Sequence, residues 1–308
     1  MGRVFRYSDV AAKRIPLDAD FRAGKQDIWQ TIEGCNDIIG AIVAGSIIHG
    51  THNLRSDIDL VVYYHDTAAA REAIAGLRQR CADRNLDLAI ILVDTVIAQT
   101  RFHTISYGFY QHLTNVVSQG GLIKQNFLPL LRTDFYNAYN DAAEYLSFKL
   151  RYVGKAIDDL TEVDMEDKRH TEVLTKGLEV AVNSVRSLLD LKGVELVDDS
   201  KAGVIQAYKA IAPQGLSELL ERLVEVDRAY TVMLKQQLEC PQPEVYAQHI
   251  QYIADTLPMA KQFIRANAFW MERENDQRTA AAQSDNDRSR NKAIPVATAT
   301  FNDSLLPS

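Results

Sequence analysis

Cysteine is scarce in this 308-residue chain: Cys35, Cys81 and Cys240 are odd in number, far apart and without metal-ligand spacing. That argues against a disulfide framework and against a cysteine-based zinc site. Positive charge is in deficit as well, with 34 Lys and Arg against 41 Asp and Glu and a net charge of -7. An extended nucleic-acid surface normally needs a basic face, so none is expected, although a local basic pocket for a triphosphate stays open. Long apolar runs are missing: none approaches membrane-spanning length, and Met1-Gly2-Arg3-Val4-Phe5-Arg6-Tyr7-Ser8 holds no signal-peptide segment. No membrane partner is expected, and cytoplasmic is the default location. What is present is ordinary for a folded protein, 46% hydrophobic and 24% charged, in a chain long enough for two cores.

One stretch concentrates the chemistry. The apolar run Ile39-Gly40-Ala41-Ile42-Val43-Ala44 ends in a Gly45-Ser46 turn, and about ten residues further on Asp57-Ile58-Asp59 opens a second apolar run, Leu60-Val61-Val62-Tyr63. Side chains alternate along a strand, so Asp57 and Asp59 share one face while Ile58, Leu60 and Val62 point inward on the other. Two neighbouring carboxylates repel each other unless a cation lies between them, and a hard divalent ion such as Mg²⁺ suits oxygen donors. Asn85-Leu86-Asp87-Leu88-Ala89-Ile90-Ile91-Leu92-Val93 reads as a further buried strand with one acid near its start. Paired beside the first acidic strand, it brings Asp87 to Asp57 and Asp59, a carboxylate set fit for two-metal phosphoryl transfer.

A Gly-Ser, a spacer of about ten residues, an Asp-x-Asp in an apolar strand and a third Asp on a later strand resemble the DNA polymerase β-like nucleotidyltransferase superfamily. The resemblance covers roughly residues 25 to 125. It implies that Asp57, Asp59 and Asp87 are both catalytic and metal-binding, holding two Mg²⁺ ions. It also implies that Gly45 and Ser46, with His49 and Ser56, bind the phosphates of an NTP. Many small members carry Ala-Arg between the Gly-Ser and the next Gly, where this chain has Ile48-His49, which leaves His49 or Arg55 as the stand-in cation.

The fold expected is α+β: an N-terminal nucleotidyltransferase mixed sheet flanked by helices, followed by an all-α helical bundle. Residues 1–24 form an irregular extension wrapped on the surface, with a short helix from Lys25 to about Gly34. A strand covers about Ile38 to Ala44, a helix runs from Asp66-Thr67 to about Arg84, and another spans Thr104 to Val117. The nucleotidyltransferase domain ends near 128. Within 129–271, four apolar stripes at spacings of three and four predict helices. They run through Leu146 and Val153, Leu174 and Val185, Leu223 and Tyr230, and Ile250 and Leu257, the last interrupted by Pro258. Four such stripes bury against one another as a bundle, which offers a substrate wall or a homodimer surface. Lys149, Arg151 and Lys155 on its first helix are candidates to reach a triphosphate or acceptor. From 272 to 308 the composition turns polar and a disordered tail is expected.

The activity that follows is transfer of a nucleoside monophosphate from NTP to a hydroxyl acceptor (small molecule, protein or oligonucleotide), with pyrophosphate released. Two other readings stand beside it: a synthase of oligonucleotide signals from the same superfamily, and an antitoxin-like partner-binding protein. A ribonuclease bundle of the HEPN type is not indicated, because Arg101/His103 and Arg169/His170 are too close for its Arg and His spacing.

Overall fold

The computed structural model of the protein describes residues 2–292 apart from 102, 134–137, 195, 197 and 199. Two compact units divide the chain, residues 1–268 and residues 269–308. The fold is mixed α+β, with a small mixed sheet and a helix-rich remainder. Among the described residues no helix is long and apolar enough to cross a membrane.

After helix α1 (Tyr7–Ala11) the chain enters α2 (Asp18–Gly34) and strand β1 (Ile38–Ala44), then a single helical turn, α3 (Ser46–His49). Strand β2 (Asp57–Tyr64), helix α4 (Ala68–Asp83) and strand β3 (Asp87–Asp94) form a βαβ unit, since β2 and β3 run parallel. Helix α5 (Thr95–Arg101), strand β4 (His103–Ile105), helix α6 (Tyr107–Ser118), strand β5 (Leu122–Lys124) and strand β6 (Leu131–Thr133) follow. The main sheet has the order β3-β2-β1-β5, with β1 antiparallel to both neighbours, and β4 pairs with β6 separately.

Both faces of the sheet are covered, for a reason written into β2. Ile58, Leu60, Val62 and Tyr64 pack with Phe21, Ile28 and Ile32 of α2 and Ile74, Leu77 and Cys81 of α4. The alternate residues Val61 and Tyr63 pack with Ala98 of α5 and Leu113 and Val116 of α6. Asp57 and Asp59 have the parity of Val61, so they lie on the α6 face, at the end of the strand where the apolar cover begins. The strand β1 and the helix α4 fall where the periodicity predicts, and Thr67 caps α4 by accepting from the Ala70 N–H at 3.1 Å.

The helical part consists of α7 (Ala138–Asp158), α8 (Lys168–Leu191), α9 (Lys201–Ile211), α10 (Gln214–Glu239) and α11 (Pro243–Lys292). The four apolar stripes correspond to α7, α8, α10 and α11, whereas α9, capped by Ser200 onto Gly203 N, has a pattern too short to stand out. Pro258 does not interrupt the fourth helix. It lies inside α11, where its missing N–H costs one backbone hydrogen bond while Ile253, Leu257, Ala260 and Ile264 around it stay buried. α11 also continues through Lys292, so the segment from 272 on, where disorder is expected, starts as helix; residues 293–308 of that segment lie outside the described residues.

The N-terminal extension departs most from expectation. It does not wrap the surface: Val4, Phe5, Val10 and Ile15 are buried, and α2 starts seven residues before Lys25. Extended residues cannot pair with themselves, so their amides find partners elsewhere. Arg3 N donates to Arg55 O at 2.9 Å, Val4 N to Thr175 Oγ1 of α8 at 2.7 Å, and Phe5 N to the Tyr230 hydroxyl of α10 at 3.0 Å. The Tyr246 hydroxyl of α11 donates to Phe5 O.

Arg55 closes this seam. Its guanidinium, 1% exposed, donates to Arg3 O (2.9 Å), Gly2 O (2.7 Å), Asp227 Oδ1 (2.7 Å) and Thr231 Oγ1 (2.9 Å), and it lies 4.6 Å from the Tyr230 ring centroid. A buried cation satisfied at every edge is stable, but removing it leaves several acceptors and one carboxylate without a partner. We expect Arg55→Ala to lower unfolding stability by about 3–5 kcal/mol in urea titrations. Arg55→Lys should restore only part, because a single ammonium cannot span a planar fork of acceptors. A loss under about 1 kcal/mol for Arg55→Ala would mean that the seam holds without it.

Candidate active site

Strand register brings the acids together. In the parallel β2–β3 pair, Asp57 stands opposite Asp87, and Asp59 opposite Ala89; across the antiparallel pair, Asp59 faces Ala44. Gly45 follows directly and takes φ +85°, a left-handed backbone that a side chain would strain. A Cβ there would lie 3.6 Å from Asp59 Oδ2, so the Gly-Ser turn runs beside the carboxylate.

The turn is braced by its own polar groups. Ser46 Oγ donates to Ser56 Oγ at 3.0 Å, which also accepts from Asn53 N at 3.0 Å, and Asn53 Oδ1 accepts from Arg55 N at 2.9 Å. Ser56 is buried, and its hydroxyl joins the two ends of the loop that leads from β1 to β2. His49 ends α3 with Nε2 buried and unpaired among the described residues. Burial, then the neighbouring His112, holds its imidazole below the usual value. Arg55, the other candidate stand-in cation, is consumed by the N-terminal seam and does not face the acids.

The acids differ in surroundings. Asp87 is half-exposed, with Arg3 Nε 3.7 Å from Oδ2. Asp59 is pushed from 3.8 to about 6, first by burial and then by the Asp57 charge, and no hydrogen bond from a described residue offsets this. Its carboxylate is therefore a costly anion in the metal-free protein. Among the described residues no three His, Cys, Asp or Glu side chains converge closely enough to hold a metal ion as they stand. The donor chemistry at Asp57 and Asp59 still fits a hard cation: oxygen ligands only, like charges adjacent, and one of them without a hydrogen-bonded partner.

What the sequence motif did not reveal is the opposite wall. The apolar stripe of α8 (Leu174, Leu178, Ala181, Val185, Leu188) faces the bundle, and Lys176, Glu179, Asn183 and Arg186 recur at three and four residues on its other side. Lys176 and Glu179 of this polar stripe lie within electrostatic range of the acids. Lys176 Nζ donates to Glu179 Oε2 at 2.7 Å, and Asn183 Nδ2 to Glu179 Oε1 at 3.4 Å. Burial works against the Lys176 charge, but Glu179, together with Asp57 and Asp87, holds its pKa above the ordinary value.

From α7, Tyr145 joins the cluster, its phenol raised by burial and by Glu179. Lys149 is lowered by burial and by Lys176. Of the α7 cations singled out in the sequence, Lys149 is the one in reach of this cluster; Arg151 and Lys155 are exposed. From α6 comes His112, pushed down to about 4 by burial and Arg186 and felt by Asp59. The readable signal for this wall was the second stripe of α8, polar at helical spacing.

The raised Asp59 value has a direct thermodynamic consequence. A carboxyl whose folded value lies above its unfolded one takes up a proton on folding, so its contribution to stability is full below about pH 4 and lost as pH rises through about 6. We expect Asp59→Asn, in EDTA, to be more stable than wild type above pH 6 by about 1–3 kcal/mol, with the gap closing towards pH 4. Urea titrations across pH check this, and equal stability at pH 7.5 would show that the carboxylate is not under strain. Compared with protein-family models and with curated proteins, the chain matches none.

Proposed function

We propose that the protein is a Mg²⁺-dependent nucleotidyltransferase that moves a nucleoside monophosphate from NTP to a hydroxyl acceptor. The observation that supports this most is the register of β2 and β3, with Asp57 opposite Asp87 and Asp59 beside the Gly45 turn. In this reading Asp57 and Asp59 hold the cation, and Asp87 completes the set. When bound, such ions neutralise phosphate charge and make the attacking hydroxyl more acidic.

The chain's own groups supply the rest. Gly45, lacking a side chain, leaves the strand end open for phosphate oxygens beside Asp59, and the Ser46–Ser56 hydrogen bond keeps that turn in shape. Lys176, kept charged by Glu179, faces the acids and offsets the negative charge of an approaching triphosphate. The acceptor oxygen bonds to the α-phosphorus, the bond from that phosphorus to the bridging oxygen breaks, and pyrophosphate leaves with the electron pair. Asp87, exposed and paired with Arg3, accepts the hydroxyl proton.

Pyrophosphate release from each NTP with Mg²⁺, first alone and then with cell extract, tests the proposal. Wild type is expected to release it and Asp57→Ala/Asp59→Ala to fall by at least about 100-fold. Dependence on extract would mean that the acceptor is supplied there, whereas oligonucleotide products from NTP alone would point to the signal-synthase reading. No release under either condition, together with no NTP binding, would sink the enzyme reading.

A further inference from the structure

Helix α7 buries one side and leaves aromatic rings on the other. Leu146, Val153 and Ile157 are buried, while Tyr145, Phe148 and Tyr152 recur at three and four residues on a second face. Phe148 is 49% exposed and Tyr152 66%, two large rings left in water. Their planes are parallel within 3° and their centroids 5.8 Å apart, so the pair is stacked rather than splayed. Exposed rings with a polar border mark a binding surface.

Cations flank the rings on both sides. Lys149 Nζ lies 5.3 Å from the Phe148 centroid and 5.6 Å from that of Tyr145. With about 3.6 residues per turn, Arg151 and Lys155 fall on the other side of the aromatic ladder, and both are exposed. Arg151 Nε donates to Ser147 O at 3.3 Å, and among the described residues Lys149, Arg151 and Lys155 form no ion pair. From Tyr145 to Ile157 the chain has no Asp or Glu. Asp158, the next acid, accepts from Lys261 of α11 at 2.6 Å. This face is therefore locally basic on a chain whose net charge is -7.

Rings bordered by unpaired cations suit a polyanion whose repeating units are themselves flat rings. An acidic peptide would meet the cations and leave the ring faces bare, and a duplex keeps its base faces stacked on one another. A single strand offers both charge and open bases.

We infer that this face of α7 binds single-stranded nucleic acid, with bases stacked on Phe148 and Tyr152 and phosphates paired with Lys149, Arg151 and Lys155. Tyr145 and Lys155 are ten residues apart, about 15 Å of helix rise. At one phosphate per about 3.4 Å of strand, that length holds about four nucleotides. So short a strip agrees with an acidic chain, whose charge argues against an extended basic surface and not against a local one. Every base has a flat face, so the strip is tolerant of sequence. The inference concerns binding alone and does not depend on the nucleotidyltransferase reading.

Fluorescence anisotropy on the full-length protein, without NTP or metal, tests it with a short labelled oligothymidylate at low salt. The control is an abasic deoxyribose phosphate chain of the same length. The base-bearing strand should bind at least about fivefold more tightly. Phe148→Ala/Tyr152→Ala should erase that preference. Arg151→Gln/Lys155→Gln should weaken both chains alike and flatten a log–log salt slope of about -2, the value for three phosphate contacts. Phe148→Trp gives a direct reading, since its emission should be quenched as the strand binds. These side chains are exposed, so the variants should unfold in urea as wild type does.

Equal binding of the abasic chain, no binding of either chain, or indifference to Phe148→Ala/Tyr152→Ala would overturn the inference. Capture by phosphatidylserine vesicles without strand binding would assign the face to an anionic membrane and overturn it. A dimer that Phe148→Ala/Tyr152→Ala dissolves, again without strand binding, would assign it to a second copy with the same result. Strand binding with no transfer from any NTP would uphold the inference and sink the transferase reading alone.

Discussion

The buried guanidinium of Arg55 is the constraint on which the arrangement of this molecule depends. It sits two residues before Asp57, in the loop that the Ser46–Ser56 hydrogen bond also braces, and it binds the extended N-terminal residues and α10 at once. A charge 1% exposed must be satisfied in full or not be buried at all, so the loop, the strap of residues 2–6 and α10 cannot shift independently. The strap in turn bonds to α8 through Thr175, next to Lys176. Thus the residue that holds the acidic strand in place also holds the helix that faces it.

Electrostatics around the acids follow from that placement. Asp57 and Asp59 are neighbours on one face of β2, and Asp59, the more buried of the two, is raised by burial and then by the Asp57 charge. Lys176 and Arg3 approach from α8 and from the strap, so the cluster is partly compensated without any one acid being neutralised by a close bidentate pair. A site so balanced is open to cations and to polyanions alike: the carboxylates attract the first, the α8 wall the second.

Glu179 illustrates why charge alone is a poor guide to role. It lies among cations on α8, hydrogen-bonds Lys176 and Asn183, and raises both Asp59 and Tyr145. Without it the polar stripe of α8 would be simply basic; with it Lys176 is oriented and kept protonated. Beyond Asn183 the stripe ends in Arg186, which lines a cleft with Tyr107, Gln111, His112 and Asn115 of α6.

Local features were legible in the sequence because they depend on neighbours along the chain. Alternation in Asp57–Tyr64 gave the shared face of Asp57 and Asp59, Thr67 marked the start of α4, and the apolar stripes marked α7, α8, α10 and α11. Pro258 misled, since burial around it outweighs one lost hydrogen bond, and the N-terminal segment misled, since its buried apolar residues have no period to read. What the sequence by itself determined is the acid-bearing strand, the glycine turn and the amphipathic helices, each set by side-chain alternation or helical spacing. Only the tertiary structure decided that Asp87 stands opposite Asp57, that Arg55 belongs to the seam rather than the site, and that the polar side of α8 faces the acids. Those depend on strand register and on packing between residues more than a hundred positions apart, for which no local periodicity exists.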